Sequence, residues 1–395
     1  MSVWDELVGQ EPAVAVLRRA AAAAGTPEAR AGGMTHAWLI TGPPGSGRSN
    51  AARAFAAALQ CDQAGSARGC GECKGCRSTL AGANPDVTLV RTEQLSLKVE
   101  EIRELVRKAA MSPVGQRFQV LIVEDADRLT EQAADALLKS LEEPAERTIW
   151  MLCAPTVEDV VPTIRSRCRL LVLRTPPPEA VAAVLRDRDG VDAETALFAA
   201  RASQGHIGRA RALARSEDVR ARRRQVLTVP RRIDSPSTAV TIAAELVDQA
   251  TAEAKEAAVE LDAAELAELE HAYAVTGGRG TRNRTLDAAK RELEEQQKVR
   301  AKRLQRDMLD RALLDLIAYF RDVLAVAMQG EQAPLVNEDM RREIVEQASA
   351  MRPEDVVRDI DAIVACREAI TANVAPLLAV EAMTLALWKS AVSSV

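Results

Sequence analysis

Aromatic residues are scarce, at 3% of 395 residues. Cores must then be built from Ala, Leu and Val, which suits packed helices better than a β-sandwich. No apolar run reaches about 18 residues, so no membrane-spanning helix is expected. The opening MSVWDELVGQEPAVAVL carries acids early and lacks a basic n-region, so no signal peptide is expected either, and a cytoplasmic location follows. A broadly basic surface is also missing. The net charge is −5, so contact with DNA must come from a local patch or through a partner.

Apolar residues make up 47% of the chain, enough for two or three cored domains. Residues 1–175 alternate strand-like and helix-like segments, the pattern of a mostly parallel α/β sheet. HAWLITG, DVTLVRT, FQVLIV and RTIWMLCAP read as strands. Thr130 predicts the N-cap of a helix that Pro144 closes. The stiff Thr175–Pro178 sets a boundary. Residues 176–228 read as a small helical lid domain, and 229–395 as an all-α domain. Within the last, 251–271 holds seven acids and one Lys, and 279–306 holds ten Lys/Arg and four acids. A glycine-rich break from Val275 to Gly280 separates them. Opposite charge on two helical arms predicts an antiparallel hairpin over 251–306. It either pairs with itself as a solvated insertion or serves as a docking arm.

TGPPGSGRSN, residues 41–50, has nearly the spacing of a phosphate-binding loop. Gly42, Gly45 and Gly47 allow backbone N–H groups and a helix N-terminus to converge on phosphate. Ser49 stands where a Mg²⁺-binding hydroxyl is needed. The lysine is missing: position 48 is Arg, a planar fork that does not replace a compact ammonium. The acidic strand end departs too. Glu124 precedes Asp125, the reverse of an Asp for Mg²⁺ followed by a Glu for the attacking water. The next strand ends on Ala154 and Pro155, and only then Thr156. These departures predict a degenerate nucleotide site, Gly42, Gly45, Gly47, Arg48, Ser49, Glu124 and Asp125, with weak or silent ATP hydrolysis; they leave ATP/Mg²⁺ binding in doubt.

Four of the seven cysteines lie at Cys61, Cys70, Cys73 and Cys76. Two C-x-x-C spacings and four soft ligands within 16 residues predict a structural Zn²⁺ site. With Cys in all four positions, none stays open for catalysis. In TIRSRCRLLVL, Arg165, Arg167 and Arg169 alternate before an apolar run. They are either solvated arginines on an edge, or Arg167 reaches a neighbouring subunit and stabilises charge on a γ-phosphate there.

HAWLITGPPGSGRSN, the four-Cys cluster, ALLKSLEEP and TIRSRC together resemble bacterial clamp-loader subunits of the AAA+ class, most of all the delta-prime kind of DNA polymerase III. The resemblance covers most of residues 1–225. It implies an AAA+ domain with a zinc module at 61–76, a helical lid and a C-terminal helical collar. It implies Zn²⁺ on Cys61, Cys70, Cys73 and Cys76. Arg167 is then an arginine finger in trans, in the ATP site of a gamma/tau subunit. The remaining implied partners are the delta subunit and, through the complex, the sliding clamp and primer–template DNA. The chain would act as a largely non-hydrolysing stator within the polymerase III holoenzyme. QGHIGRARAL places Gly208 where an ATP-hydrolysing relative has arginine, with Arg209 one step later. A gamma/tau-like motor is the alternative. A branch-migration helicase fits less well, because of the four-Cys insert. The hairpin is outside the family pattern.

Overall fold

The computed structural model describes residues 2–26, 33–92, 96–115, 117–275 and 282–393. The chain forms two compact units, Met1–Arg215 and Ser216–Val395. The division falls inside the stretch 176–228 expected to form a lid.

The first unit is built on five parallel strands: β1 (Ala37–Thr41), β2 (Val87–Val90), β3 (Gln119–Val123), β4 (Thr148–Ala154) and β5 (Arg169–Val172). Their order is β2-β3-β4-β1-β5. Helices α1 (Glu11–Ala23), α2 (Arg48–Leu59), α3 (Lys74–Leu80), α4 (Val99–Ala109), α5 (Glu131–Glu142) and α6 (Pro162–Arg165) connect and cover them. Strand side chains alternate between faces. Trp38, Ile40, Ile122 and Met151 therefore pack on α1 and α2, while Leu39, Leu121, Val123 and Leu152 pack on α4 and α5. Trp38 meets Phe55 of α2 edge-on at 5.2 Å, one of few aromatic pairs in a core of small residues. The expected α/β class is what forms, and each segment read as a strand is one. Thr130 caps α5 as expected, accepting from the Ala133 N–H at 3.2 Å. Three further helices close this unit: α7 (Pro178–Asp189), α8 (Ala193–Ala202) and α9 (Ile207–Arg215).

Among its described residues the second unit is helical: α10 (Glu217–Leu227), α11 (Val229–Arg232), α12 (Pro236–Val275), α13 (Arg282–Gln329), α14 (Arg341–Ala350), α15 (Pro353–Thr371) and α16 (Pro376–Ser393). Its core holds Leu313, Leu316, Tyr319, Phe320, Ile363 and Val380. α12 and α13 run antiparallel: Arg300 pairs with Asp262 and Glu265, Lys290 with Glu270, and Gln305 donates to Thr251. Beyond Val275, the glycine-rich break lies outside the described residues.

Candidate functional site: a phosphate loop, a four-cysteine cluster and a surface arginine

The chain leaves β1 at the point where it crosses to the far edge of the sheet, the position where open α/β sheets hold ligands. Residues 42–47 turn there from β1 into α2. Gly45 has φ +85°, and a Cβ on it would lie 2.5 Å from the Cα of His206. A Cβ on Gly42 would lie 2.6 Å from Ser46 Oγ and 2.8 Å from the Leu173 carbonyl. The loop can therefore hold this shape only with glycine at both positions. Gly47 caps α2 and brings no side chain, so the positive end of the helix is not spent on a capping oxygen.

Two residues missed in the sequence hold this loop. Gln10 is buried; its Nε2 donates to the carbonyls of Ser46 (3.2 Å) and Arg174 (2.6 Å), and its Oε1 accepts from the Arg174 N–H (3.1 Å). It ties the loop to the end of β5. His206, just before α9, seats against Gly45. Nothing in the spacing of these residues marks them, because both partners come from distant segments.

Arg48 turns back on the loop, its Nη1 donating to the Gly42 carbonyl at 2.7 Å. Ser49 is half-buried in the first turn of α2. Ser46 Oγ is buried without a protein partner. Glu124, at the end of β3, donates its N–H to the Val90 carbonyl and lies 3.9 Å from Arg91 Nε. Asp125 leads into a short 3-10 turn, Ala126–Arg128. That turn supplies a third acid, Asp127, whose carboxyl burial pushes above the usual range, against the pull of Arg128 and Arg48. Burial also pushes the Cys153 thiol up to about 12; Arg48 opposes the shift, and Glu124, Asp125 and Asp127 add to it. The arginine and the acids thus face the same end of β4. At that end, Pro155 gives its carbonyl to the Gly42 N–H and Thr156 donates its N–H to Asp159.

The four clustered cysteines come together. Their Sγ atoms all lie within 4.8 Å of one another, with Cys61 to Cys70 at 3.6 Å and Cys61 to Cys73 at 3.8 Å. Four ligands at about 2.3 Å around a tetrahedral ion stand ~3.8 Å apart, so the set fits Zn²⁺ and could hold a metal ion. Backbone N–H groups point at sulfur: Asp62 and Cys76 donate to Cys73 Sγ, and Cys73 to Cys70 Sγ, each at 3.4 Å. Burial raises the Cys73 and Cys76 thiols. Cys61 feels the same burial but is drawn down to about 6 by backbone N–H groups at Cys70, Gln63 and Gly69. Beside the cluster, Arg68 buries Nε and Nη1 without a protein hydrogen bond. Four thiolates around a dication carry two net negative charges, a counter-charge suited to a buried guanidinium.

The three alternating arginines separate. Arg165 ends α6. Arg169 donates to the Gly33 carbonyl and stacks over Trp38, 5.0 Å from its centroid. Arg167 lies between them on the surface. Its Nε donates to Glu142 Oε1 at 2.7 Å, and its Nη1 to the Thr163 carbonyl at 2.7 Å and Ser166 Oγ at 3.2 Å. Cys168 packs inward, its thiol pushed up to about 12 by burial.

Residues 20–177 match the family model described as DNA polymerase III, delta subunit. The chain is 38% identical over 196 residues to "DNA polymerase III subunit delta'" of Escherichia coli, covering 49% of this chain and 58% of that one. It is 36% identical over 199 residues to "DNA polymerase III subunit gamma/tau" of Mycobacterium tuberculosis, covering 49% of this chain and 33% of that one. The chain thus spans only part of the length of these curated relatives. Among solved structures, a DNA polymerase III gamma subunit-related protein of Thermotoga maritima aligns over 90% of this chain and 94% of that one, at 16% identity and a TM-score of 0.38. The matched part of the chain is thus similar to DNA polymerase III subunits of both the delta' and the gamma/tau kind.

Proposed function

We propose that the chain is the delta-prime subunit of a cytoplasmic clamp loader: a largely non-hydrolysing stator that lends Arg167 to the ATP site of a neighbouring gamma/tau subunit. The observation that carries this is the pairing of a phosphate loop closed by its own Arg48 with a half-buried arginine, Arg167, just before the edge strand β5. Its partners are gamma/tau and delta subunits and, through the complex, the sliding clamp and primer–template DNA. Residues 1–175 form the AAA+ module, 176–228 a lid and 229–395 a collar, with the hairpin 251–306 inserted in the collar. Cys61, Cys70, Cys73 and Cys76 hold Zn²⁺, which fixes the loop after α2 and takes no part in chemistry.

In this reading Gly42, Gly45, Gly47, Arg48, Ser49, Glu124 and Asp125 are a relic of a nucleotide site. The Arg48 guanidinium is engaged with the Gly42 carbonyl, so it is not held out toward a β/γ-phosphate. Arg167 supplies in trans the charge that a transferring phosphoryl group needs.

A second reading, an ATP-hydrolysing gamma/tau-like motor, is favoured by the 36% identity to the gamma/tau subunit. ATP turnover decides between them. The stator reading expects the purified chain to be silent. It also expects Arg167→Ala to lower turnover sharply in the complex with gamma/tau-type subunits, clamp and primed DNA. Turnover by the lone chain that is lost in Ser49→Ala or Asp125→Asn establishes the motor instead.

A further inference from the structure

Arg167 does not stand free. Nε and Nη2 both meet Oε1 of Glu142, while Nη1 reaches the Thr163 carbonyl and Ser166 Oγ. All three guanidinium nitrogens are engaged by oxygens of the same chain. The backbone on either side is fixed: Ile164 is fully buried, Cys168 packs into the core and Arg169 is tied to Gly33 and Trp38. Where the Arg167 charge lies is therefore a matter of its side chain, and Glu142 is the anion that holds it.

Glu142 is also an odd residue for its place. It ends α5, where a carboxylate meets the negative end of the helix dipole. A cation beside it relieves that clash. The two side chains keep 34% and 48% of their exposure, so water screens the pair and the hold is weak enough to exchange. A nucleotide phosphate carries more charge than a carboxylate and accepts the guanidinium fork in two-point fashion.

We infer that Glu142 is a positioning residue for Arg167: it holsters the guanidinium against the chain until a neighbouring subunit's nucleotide phosphate takes its place. This rests on the reading of Arg167 as a trans-acting finger. Release from Glu142 is then a cost of engagement. Neutralising Glu142 removes that cost without altering the engaged state.

The test is an ATP titration of steady-state turnover in the complex of this chain with gamma/tau-type subunits, clamp and primed DNA. The variants are Glu142→Gln, Glu142→Asp, Glu143→Gln, Arg167→Ala and the double variant Glu142→Gln/Arg167→Ala. Glu142→Gln is expected to raise kcat/KM by roughly two- to fivefold, the range of an exposed ion pair, chiefly through a lower KM. Glu142→Asp keeps the charge and returns KM toward wild type. Glu143→Gln, which removes the adjacent exposed charge, matches wild type. Glu142→Gln has no effect when Arg167 is Ala. If Arg167→Ala abolishes the stimulated turnover while Glu142→Gln leaves kcat/KM unchanged or lower, the holster is overturned and the finger stands. If Arg167→Ala changes nothing, the finger reading falls and the holster with it.

Discussion

Arg48 donates from Nη1 to the carbonyl oxygen of Gly42 at 2.7 Å, closing the phosphate loop on itself. The two residues stand at opposite ends of the same turn. The longer side chain thus spans the space in which a lysine ammonium would meet phosphate. In the stator reading, size and planarity, more than charge, separate this loop from a working one.

The first expectation follows from that bond. Millimolar Mg·ATP should leave the melting temperature of the wild-type chain unchanged, and Arg48→Lys should gain an upward shift. A ligand present at 100 times its Kd adds about 2.7 kcal/mol, well within the reach of calorimetry. A shift of equal size in the wild type would remove the premise that Arg48 disables the loop.

The cysteine cluster should carry one Zn²⁺ per chain by elemental analysis. Cys61→Ser or Cys76→Ser should lose it and destabilise the first unit, whose core both residues join. The pH dependence has a definite sign. Half-buried Cys73 and buried Cys76 have thiol pKa values raised by desolvation, so the metal must displace protons from them. Zinc affinity should therefore rise with pH, measured by competition with a chromogenic chelator between pH 6 and 8. A flat profile would mean the cluster does not bind metal through these thiols.

In the second unit, Arg223 on α10 is buried and reaches Asp315 of α13 at 3.4 Å, and it donates to Asn337. Asn337 in turn donates from its backbone to Asp322, which is fully buried, at 2.7 Å. Removing the cation leaves buried Asp315 without its counter-charge. Arg223→Ala should destabilise this unit by about 3–5 kcal/mol, the usual consequence of breaking a buried pair. Urea unfolding followed by circular dichroism tests it, and a loss below about 1 kcal/mol would show that α10 is not anchored this way.

Asp359 on α15 is buried and its carboxyl is pushed up to about 7, mainly by burial, with Asp355 adding to the shift and Ser390 and Arg358 opposing it. In the unfolded chain it titrates near 3.9. Between these values the folded state holds the extra proton. Its contribution to stability is therefore present in full below about pH 4 and is lost as pH rises through about 7. Asp359→Asn should be close to neutral at pH 4 and stabilising at pH 8, by no more than about 4 kcal/mol at 1.36 kcal/mol per pKa unit. Equal denaturation midpoints for the two proteins at pH 8 would contradict it.

Much of the fold could be read along the chain because its signals are local. HAWLITG, FQVLIV and RTIWMLCAP read as strands, and β1, β3 and β4 form there with every residue buried. Thr130 and Pro144 bracket α5 through capping and φ restriction, which act over three or four residues. Opposite charge on residues 251–271 and 279–306 anticipated cross-pairs such as Arg300 with Glu265.

The candidate site was legible only where its members share a segment. Gly42 to Ser49 and Cys61 to Cys76 are each a single short stretch, so spacing alone exposed them. Gln10, His206 and Asp127 passed unnoticed. Gln10 spans 164 residues to reach Arg174, and no periodicity reports such a separation.

What the amino-acid sequence determined alone was the alternation of strands and helices, the chemistry of the four thiols and the replacement of lysine by Arg48. These follow from side-chain identity and short-range spacing. Only the tertiary structure decided that Arg169 meets Gly33 and Trp38, where Arg48 spends its charge and which carboxylate holds Arg167. Glu142 and Arg167 lie 25 residues apart, on the end of a helix and the approach to an edge strand. Close packing of the sheet against α5 and α6 brings them within one hydrogen bond, and no local rule encodes that approach.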